Sequence, residues 1–330
     1  MRDAFNYFAE TSEWQAQVCF SKDTNWFPKS PNLWTDLKNE GITKLDPEPG
    51  DLLFLSGRDW EALPAEWQRQ PPVPILNIAQ PRHVRDSDGR QQFLANPAIR
   101  IAKSQHGADI LKDFGVNGPL VTIPDAIDLE GLPPVPKMKD IDILVIGLKQ
   151  PAFGQQVYDR LKAWNEAEGL GLSIHLQLPP KLPTREDFLS LLSRAKIVAC
   201  IPLEAARGGE GFYLPALEAM ALETLVVCPH ATGNLGHCRD GENCIVPDFT
   251  VDGLVEGVRR MFGCGDVQKS AFLTAGKKTA RAHDRKEEKA ALLDLAARAY
   301  DMWSAYDFSL PLPPEKTPNK RKPWWRIFKG

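Results

Sequence analysis

Short apolar runs of Val, Ile and Leu recur along this chain, each separated from the next by a longer amphipathic stretch. That alternation limits the fold more than any other feature. An apolar run without polar alternation must be covered on both faces, as a strand is in a parallel sheet between helical layers. Five such runs come first: "QVCF" from Gln17, "DLLFLS" from Asp51, "PILNIA" from Pro74, "IRIAKS" from Ile99 and "LVTIPD" from Leu120. The proline-rich stretch "LPPVPKMKD", Leu132 to Asp140, then reads as an extended linker. The alternation restarts with "IDILVIG" from Ile141, "LSIHLQL" from Leu172, "KIVACIP" from Lys196 and "TLVVCP" from Thr224. Two α/β units follow, each expected to be a doubly wound sheet, over residues 1–135 and 136–282.

The segments between the runs supply the helices. Val157, Leu161 and Trp164 share a face between Phe153 and Gly169, and Phe188, Leu189, Leu191 and Leu192 do the same between Glu186 and Ala195. A longer helix is expected within 283–310, with Leu292, Leu295, Ala296, Ala299, Trp303 and Tyr306 on one core-facing stripe. No repeat of 20 to 50 residues is evident beyond the two similar halves.

A formal charge of −3 over 330 residues, with 43% hydrophobic and 25% charged content, describes an ordinary globular chain and not a generally basic nucleic-acid binder. The six cysteines contain no CxxC pair, and Cys200 and Cys228 fall inside apolar runs, so they read as free thiols. Neither a signal peptide nor an apolar membrane span is visible, and a cytoplasmic location is expected. The tail over 311–330 differs, mixing Lys320, Arg321, Lys322, Arg326 and Lys329 with Trp324, Trp325, Ile327 and Phe328. That mixture suits an anionic membrane surface, giving peripheral attachment on the inner face.

The chemistry concentrates in "RGGEGFYLPALEAM", Arg207 to Met220. It follows a predicted strand, so it emerges at a carboxyl end, where open α/β sheets bind ligands. Gly208, Gly209 and Gly211 permit a tight turn and a close backbone approach. Pro215 fits a first helical turn, and the amides of Tyr213, Leu214, Ala216 and Leu217 then form a positive helix end suited to phosphate. Glu218, read in that first turn, is placed to accept hydrogen bonds from a ribose diol, and Glu210, eight positions earlier, to accept one from a sugar hydroxyl. An early-turn glutamate is also favoured by the helix dipole with no ligand at all.

"EGFYLPALEAMA", Glu210 to Ala221, resembles the E-x7-E signature of the family-4 type of retaining glycosyltransferases, which have the GT-B fold of two facing Rossmann-like domains. "TLVVCPHATGNLGHCRDGENCIVP", Thr224 to Pro247, is similar to the family's strand, glycine loop and "DGxNG" turn. "NPAIRIAKSQHGADILKDFGVNGPLVTIPDAID", Asn96 to Asp128, is similar to the segment closing its first domain. The resemblance implies transfer of a sugar from a nucleotide-sugar donor, with retention, no metal and no further cofactor. It implies that Glu218 binds the donor ribose and Glu210 the transferred sugar. Backbone from Gly211 through Phe212 and Tyr213 to Leu214 would meet sugar and phosphates, and Thr232, Gly233 and Asn234 would form a loop beside the donor.

The departures carry weight. Relatives place an arginine after the glycine ending the second domain's first strand and a lysine a few residues on, both neutralising the diphosphate. Here "IGLKQPAFG" puts Leu148 and Phe153 near those positions, leaving Lys149 and Arg207 as substitutes. In the first domain, "ILNIAQPRHVRDSDGR" offers Gln80, Arg82 and His83, of which His83 is the candidate to orient a sugar or acceptor hydroxyl; "SKDTNWFPKSPNLW", Ser21 to Trp34, reads as an acceptor loop or as packing. The expected partners are a nucleotide-sugar donor and a saccharide or lipid-linked acceptor. The rival readings are a sugar-nucleotide epimerase and a non-catalytic GT-B subunit that binds nucleotide-sugar or a partner enzyme.

Overall fold

A computed structural model describes residues 1–21, 24, 26, 33–85, 87–204 and 211–308. The apolar runs form two separate four-stranded sheets, and every pairing in them is parallel. In the first lobe β1 (Leu53–Ser56), β2 (Ile75–Ile78), β3 (Ile99–Ala102) and β4 (Leu120–Thr122) lie side by side in chain order. Leu53 stands opposite Ile75, Ile78 opposite Ile101 and Arg100 opposite Leu120. Each residue of β2 and β3 is buried, which is why those strands read as unbroken apolar runs.

"QVCF" does not become a strand: Cys19 makes a single bridge to Ile42. Its neighbourhood is governed by rings instead. Phe20 packs edge-on against Trp26 and Trp34, Trp34 against Phe5, and Phe8 against Trp14 and Phe54, so α1 (Arg2–Ala9) and the following coil condense around aromatics. Trp26 and Trp34, placed in an acceptor loop by one sequence reading, are in this packing; most of that loop lies outside the described residues. Among the described residues the first sheet runs β1-β2-β3-β4 in one direction, and the reversal of a doubly wound sheet is seen only in the second.

The second sheet does reverse. Its order is β6 (Ile174–Gln177), β5 (Ile141–Ile146), β7 (Ala195–Cys200), β8 (Leu225–Val227). The chain steps from β5 outward to β6 and then back past β5 to β7, which makes the carboxyl ends of β5 and β7 the topological switch point. On one face α4 (Pro151–Ala167) and α7 (Val251–Gly263) bury Val157, Leu161, Leu254 and Val258. On the other, α5 (Arg185–Ser193) and α6 (Leu214–Ala221) bury Leu189, Leu192, Leu217 and Met220. Each such side chain contributes about 1.5–3 kcal/mol by leaving water. A side chain on Gly147 would come within 2.9 Å of the Gly154 Cα, so glycine there seats α4 directly on the end of β5. Gln150 Nε2 then donates to the Pro202 carbonyl at 2.7 Å and ties the two strand ends together.

Two chain segments join the lobes. The 132–140 linker packs Leu132 and Val135 onto the second core, and Lys139 Nζ donates to Ala195 O, Leu222 O and Thr224 Oγ1. Burial lowers that ammonium to about 8, with the Glu223 charge pulling weakly the other way. After α8 (Asp266–Arg281) the chain returns: Ile127 N donates to His283 O, and Arg285 N to Ile127 O. Then α9 (Arg285–Ala305) leaves the second lobe and covers the first sheet, where Leu292, Leu295 and Ala299 meet Leu76, Ile78, Ile99 and Ile101. Glu288 fixes it there, accepting from Lys103 Nζ at 3.0 Å and from the Tyr7 hydroxyl at 3.0 Å. The basic aromatic tail over 311–330, with its expected membrane contact, lies outside the described residues.

Candidate functional site

Beyond β7 the chain is described to Glu204 and resumes at Gly211, so Arg207, Gly208, Gly209 and Glu210 lie outside the described residues. Gly211 touches the first lobe. A Cβ built on it would come within 2.9 Å of Gln80 Cδ, so the two lobes meet here and only a glycine fits without displacing Gln80.

Tyr213 N donates to Gly233 O at 3.1 Å, joining this loop to the one after β8. The amide of Tyr213, expected to face phosphate, is therefore spent. The sideways bond also starts α6 at Leu214, which puts Glu218 in the second turn and not the first. The amides of Leu214 and Ala216 belong to the opening turn, which has no acceptors of its own within the helix. Glu218 is 1% exposed, and its Oε1 lies 2.6 Å from Nη2 of Arg185, the first residue of α5. Burial pushes the carboxyl up; the Arg185 guanidinium draws it back. Distance makes this an ion pair, while Oε1 lacks a hydrogen bond of good geometry and keeps accepting capacity.

In the second loop, Thr232, Gly233 and Asn234 are all buried. Asn234 is bound to its own loop: Nδ2 donates to Pro229 O and Cys228 Sγ, Oδ1 accepts from Ala231 N, and its backbone amide donates to Ala231 O. It shapes the loop beside Tyr213 and has no donor left to offer a phosphate. Beneath lie the buried thiols of Cys200, Cys228, Cys238 and Cys244; burial pushes Cys228 well up, and thiol contacts do the same for Cys238 and Cys244.

His237, which the sequence pattern did not single out, is fully buried. Its Nε2 lies 3.2 Å from Tyr213 O, and its ring packs on Phe212 at 4.7 Å and His283 at 5.9 Å. Burial lowers it to about 3. It thus steadies the α6 entrance as a neutral imidazole. The only trace in the sequence was a histidine beside the glycine loop.

In the first lobe, His83 closes a 3₁₀ turn, Pro81–Val84, directly after β2. Its Nδ1 accepts from Gln80 N at 3.3 Å, so the ring hydrogen sits on Nε2, which is buried and has no hydrogen-bond partner among the described residues. Burial, with help from nearby arginines, lowers the ring to about 4, so it acts as a neutral donor. Gln80 Oε1 is also buried, without a hydrogen-bond partner among the described residues. The turn after β2 thus carries one acceptor, Gln80 Oε1 beside Gly211, and one donor, His83 Nε2, a pairing suited to sugar hydroxyls.

Lys149 stands at the switch point. With Gln150, Phe153, Gln156, Glu204 and Phe249 it lines a pocket of about 360 Å³ at the ends of β5 and β7. Phe153 and Phe249 meet edge-to-face at 5.7 Å, and Leu148 packs into the second core. Among the described residues, one cation against one carboxylate leaves this pocket near neutral, less favourable to a diphosphate than the two-cation pattern. Among the described residues no group of three or more His, Cys, Asp or Glu side chains could hold a metal, and no helix is long and apolar enough to cross a membrane.

Residues 132–275 match the family model of glycosyl transferases group 1. No curated protein sequence matches the chain. Among solved structures, a sucrose-phosphate synthase from Thermosynechococcus elongatus is 15% identical with a TM-score of 0.56, covering 76% of this chain and 74% of that one. A glycosyltransferase from Rickettsia africae is 11% identical with a TM-score of 0.58, covering 91% and 94%. Anabaena HepE, solved with UDP and glucose, is 14% identical with a TM-score of 0.56, covering 74% and 77%. At such identities the structural likeness speaks for fold alone, and the second lobe's family match speaks for the chemistry. Over residues 132–275 the chain is similar to glycosyl transferases group 1, and with this match the protein is a sugar-transferring enzyme of GT-B fold.

Proposed function

We propose that this glycosyltransferase moves a monosaccharide from a nucleoside-diphosphate donor to a hydroxyl acceptor with retention of configuration and without a metal. The observation that carries the reading is Glu218, a buried carboxylate with unused accepting capacity on the helix that opens at the sheet's switch point. Glu218 takes the ribose diol, and the opening amides of Leu214 and Ala216 face the diphosphate. Lys149 adds a cation from the adjoining pocket. Gln80 and His83 reach the transferred sugar from the first lobe, Gln80 moving off Gly211 to admit it. Glu210 and Arg207 complete the set by sequence position, Glu210 toward the sugar and Arg207 toward phosphate. The bond from C1 to the diphosphate oxygen breaks while the acceptor oxygen bonds C1 on the same face, and the acceptor proton passes to the departing phosphate oxygen. A saccharide or lipid-linked alcohol fits as acceptor, with the basic tail on an anionic membrane surface. The HepE complex with UDP and glucose supports a nucleotide-sugar donor by likeness of fold.

The near-neutral Lys149 pocket favours a second reading, a GT-B subunit that binds donor without turnover. A thermal-shift screen across UDP-, GDP-, ADP- and CMP-sugars identifies the donor, since a ligand bound by the folded state alone raises the melting temperature. Glu218→Ala is expected to lose that shift while melting close to the parent; an unchanged donor shift removes Glu218 from the site. Release of nucleoside diphosphate with an acceptor present separates turnover from binding alone.

A further inference from the structure

Arg185 is out of place by local rules. It opens α5, where the helix dipole disfavours a cation and where Glu186 and Asp187 already supply the preferred acids. Its guanidinium is half exposed, yet it reaches Glu218 at 2.6 Å on the neighbouring helix, whose carboxylate side chain is only 2% exposed. No other described charged group acts on that carboxylate. Beneath α6, β7 and β8 contribute Val198, Cys200, Val226 and Cys228. The last of these is a thiol that burial keeps protonated. From α8, Gly276 meets Met220, Ala280 joins the same core, and Lys277 is engaged with Glu223 past the end of α6.

We propose that Arg185 is a positioning residue for donor binding: it holds the Glu218 carboxylate ionised and aimed so that its oxygens accept the two ribose hydroxyls. This rests on the reading of Glu218 as the ribose ligand. Ionised acceptors make the stronger hydrogen bonds, so a buried carboxylate that took up a proton would grip a diol less well. Arg185 also supplies a second-lobe cation that the family's arginine and lysine positions do not. Because it is half exposed, its replacement leaves the core of α5 and α6 in place.

The experiment uses the full chain and the tightest binder among UDP, GDP and ADP, compared with its 2′,3′-dideoxy counterpart by calorimetry between pH 6 and pH 9. The parent is expected to prefer the ribose form about tenfold or more, the scale of one or two hydrogen bonds to a charged group. R185Q should lose most of that preference at pH 6 and recover it towards pH 9, as the unpaired carboxyl ionises; R185K should keep it throughout. E218Q should lack the preference at every pH. Full ribose preference in R185Q at pH 6, with E218Q lacking it, overturns the role of Arg185 alone. Full preference in E218Q overturns the ribose reading beneath it as well.

Discussion

Two histidines, one in each lobe, are kept neutral by burial, and this sets an acid limit on the fold. The folded value is about 4 for His83 and about 3 for His237, against an ordinary 6.5. Between these values the unfolded chain binds protons that the folded chain refuses, so stability is fully present above about pH 6.5 and is lost as pH falls towards 4. The loss by pH 5 should be roughly 2 kcal/mol for each ring. The depressed carboxylates do not confuse this window: Asp140, held low by the Arg194 guanidinium, sits at about 2, and Asp88, bound to Arg90, lies lower still. Thermal melts of the parent and His237→Gln between pH 7.5 and pH 5 test the point. The variant starts less stable, having lost the contact with Tyr213 O, but its melting temperature should fall with acid about half as steeply. Equal slopes would place the acid sensitivity elsewhere.

At the scale of elements, buried parallel strands were readable because covering both faces demands unbroken apolar runs, as in β2, β3 and β5. "QVCF" shows the limit of that rule, since its three apolar residues are few and Phe20 found Trp26 and Trp34 as partners, while Cys19 makes only a single bridge. The stripe of α9 was readable too, although periodicity reveals a face and never what covers it. In the site, spacing pointed to Glu218 and the turn after β2 offered Gln80 and His83. Arg185 and His237 were not singled out, because their partners are brought to them only by folding. The Gly211 turn gives this a test. Its backbone is not in the left-handed region, so alanine there suffers only from Gln80, 2.9 Å from the new methyl. Overpacking of this kind costs roughly 1–3 kcal/mol when the neighbour must shift. Gly211→Ala should therefore lower both melting temperature and donor affinity, and adding Gln80→Ala should restore the melting temperature. A double variant no better than the single would mean that Gly211 serves something other than this contact.

Over the whole molecule, the chain order and the packing order disagree, and α9 is where they cross. It follows the second lobe in sequence, yet Leu292, Leu295 and Ala299 complete the core of the first, so the first lobe is not closed until the chain has passed through the second. The lobes themselves are joined by the paired backbone at Ile127, His283 and Arg285, with side-chain packing on either side. This arrangement predicts unequal consequences from one cavity. Leu295 is 1% exposed, and Leu→Ala at such a site costs about 2–5 kcal/mol. In Leu295→Ala, amide hydrogen exchange should quicken across β2 and β3, which α9 covers, while β5 and β7 keep their protection, since local openings need not involve the whole fold. Nucleotide affinity should stay near the parent value, because Glu218 and the opening turn of α6 belong to the protected lobe. Sugar transfer should fall, because Gln80 and His83 follow directly from the end of β2 and shift with that strand. Equal loss of protection in β5 and β7 would instead show that the lobes unfold as one unit and that α9 holds both.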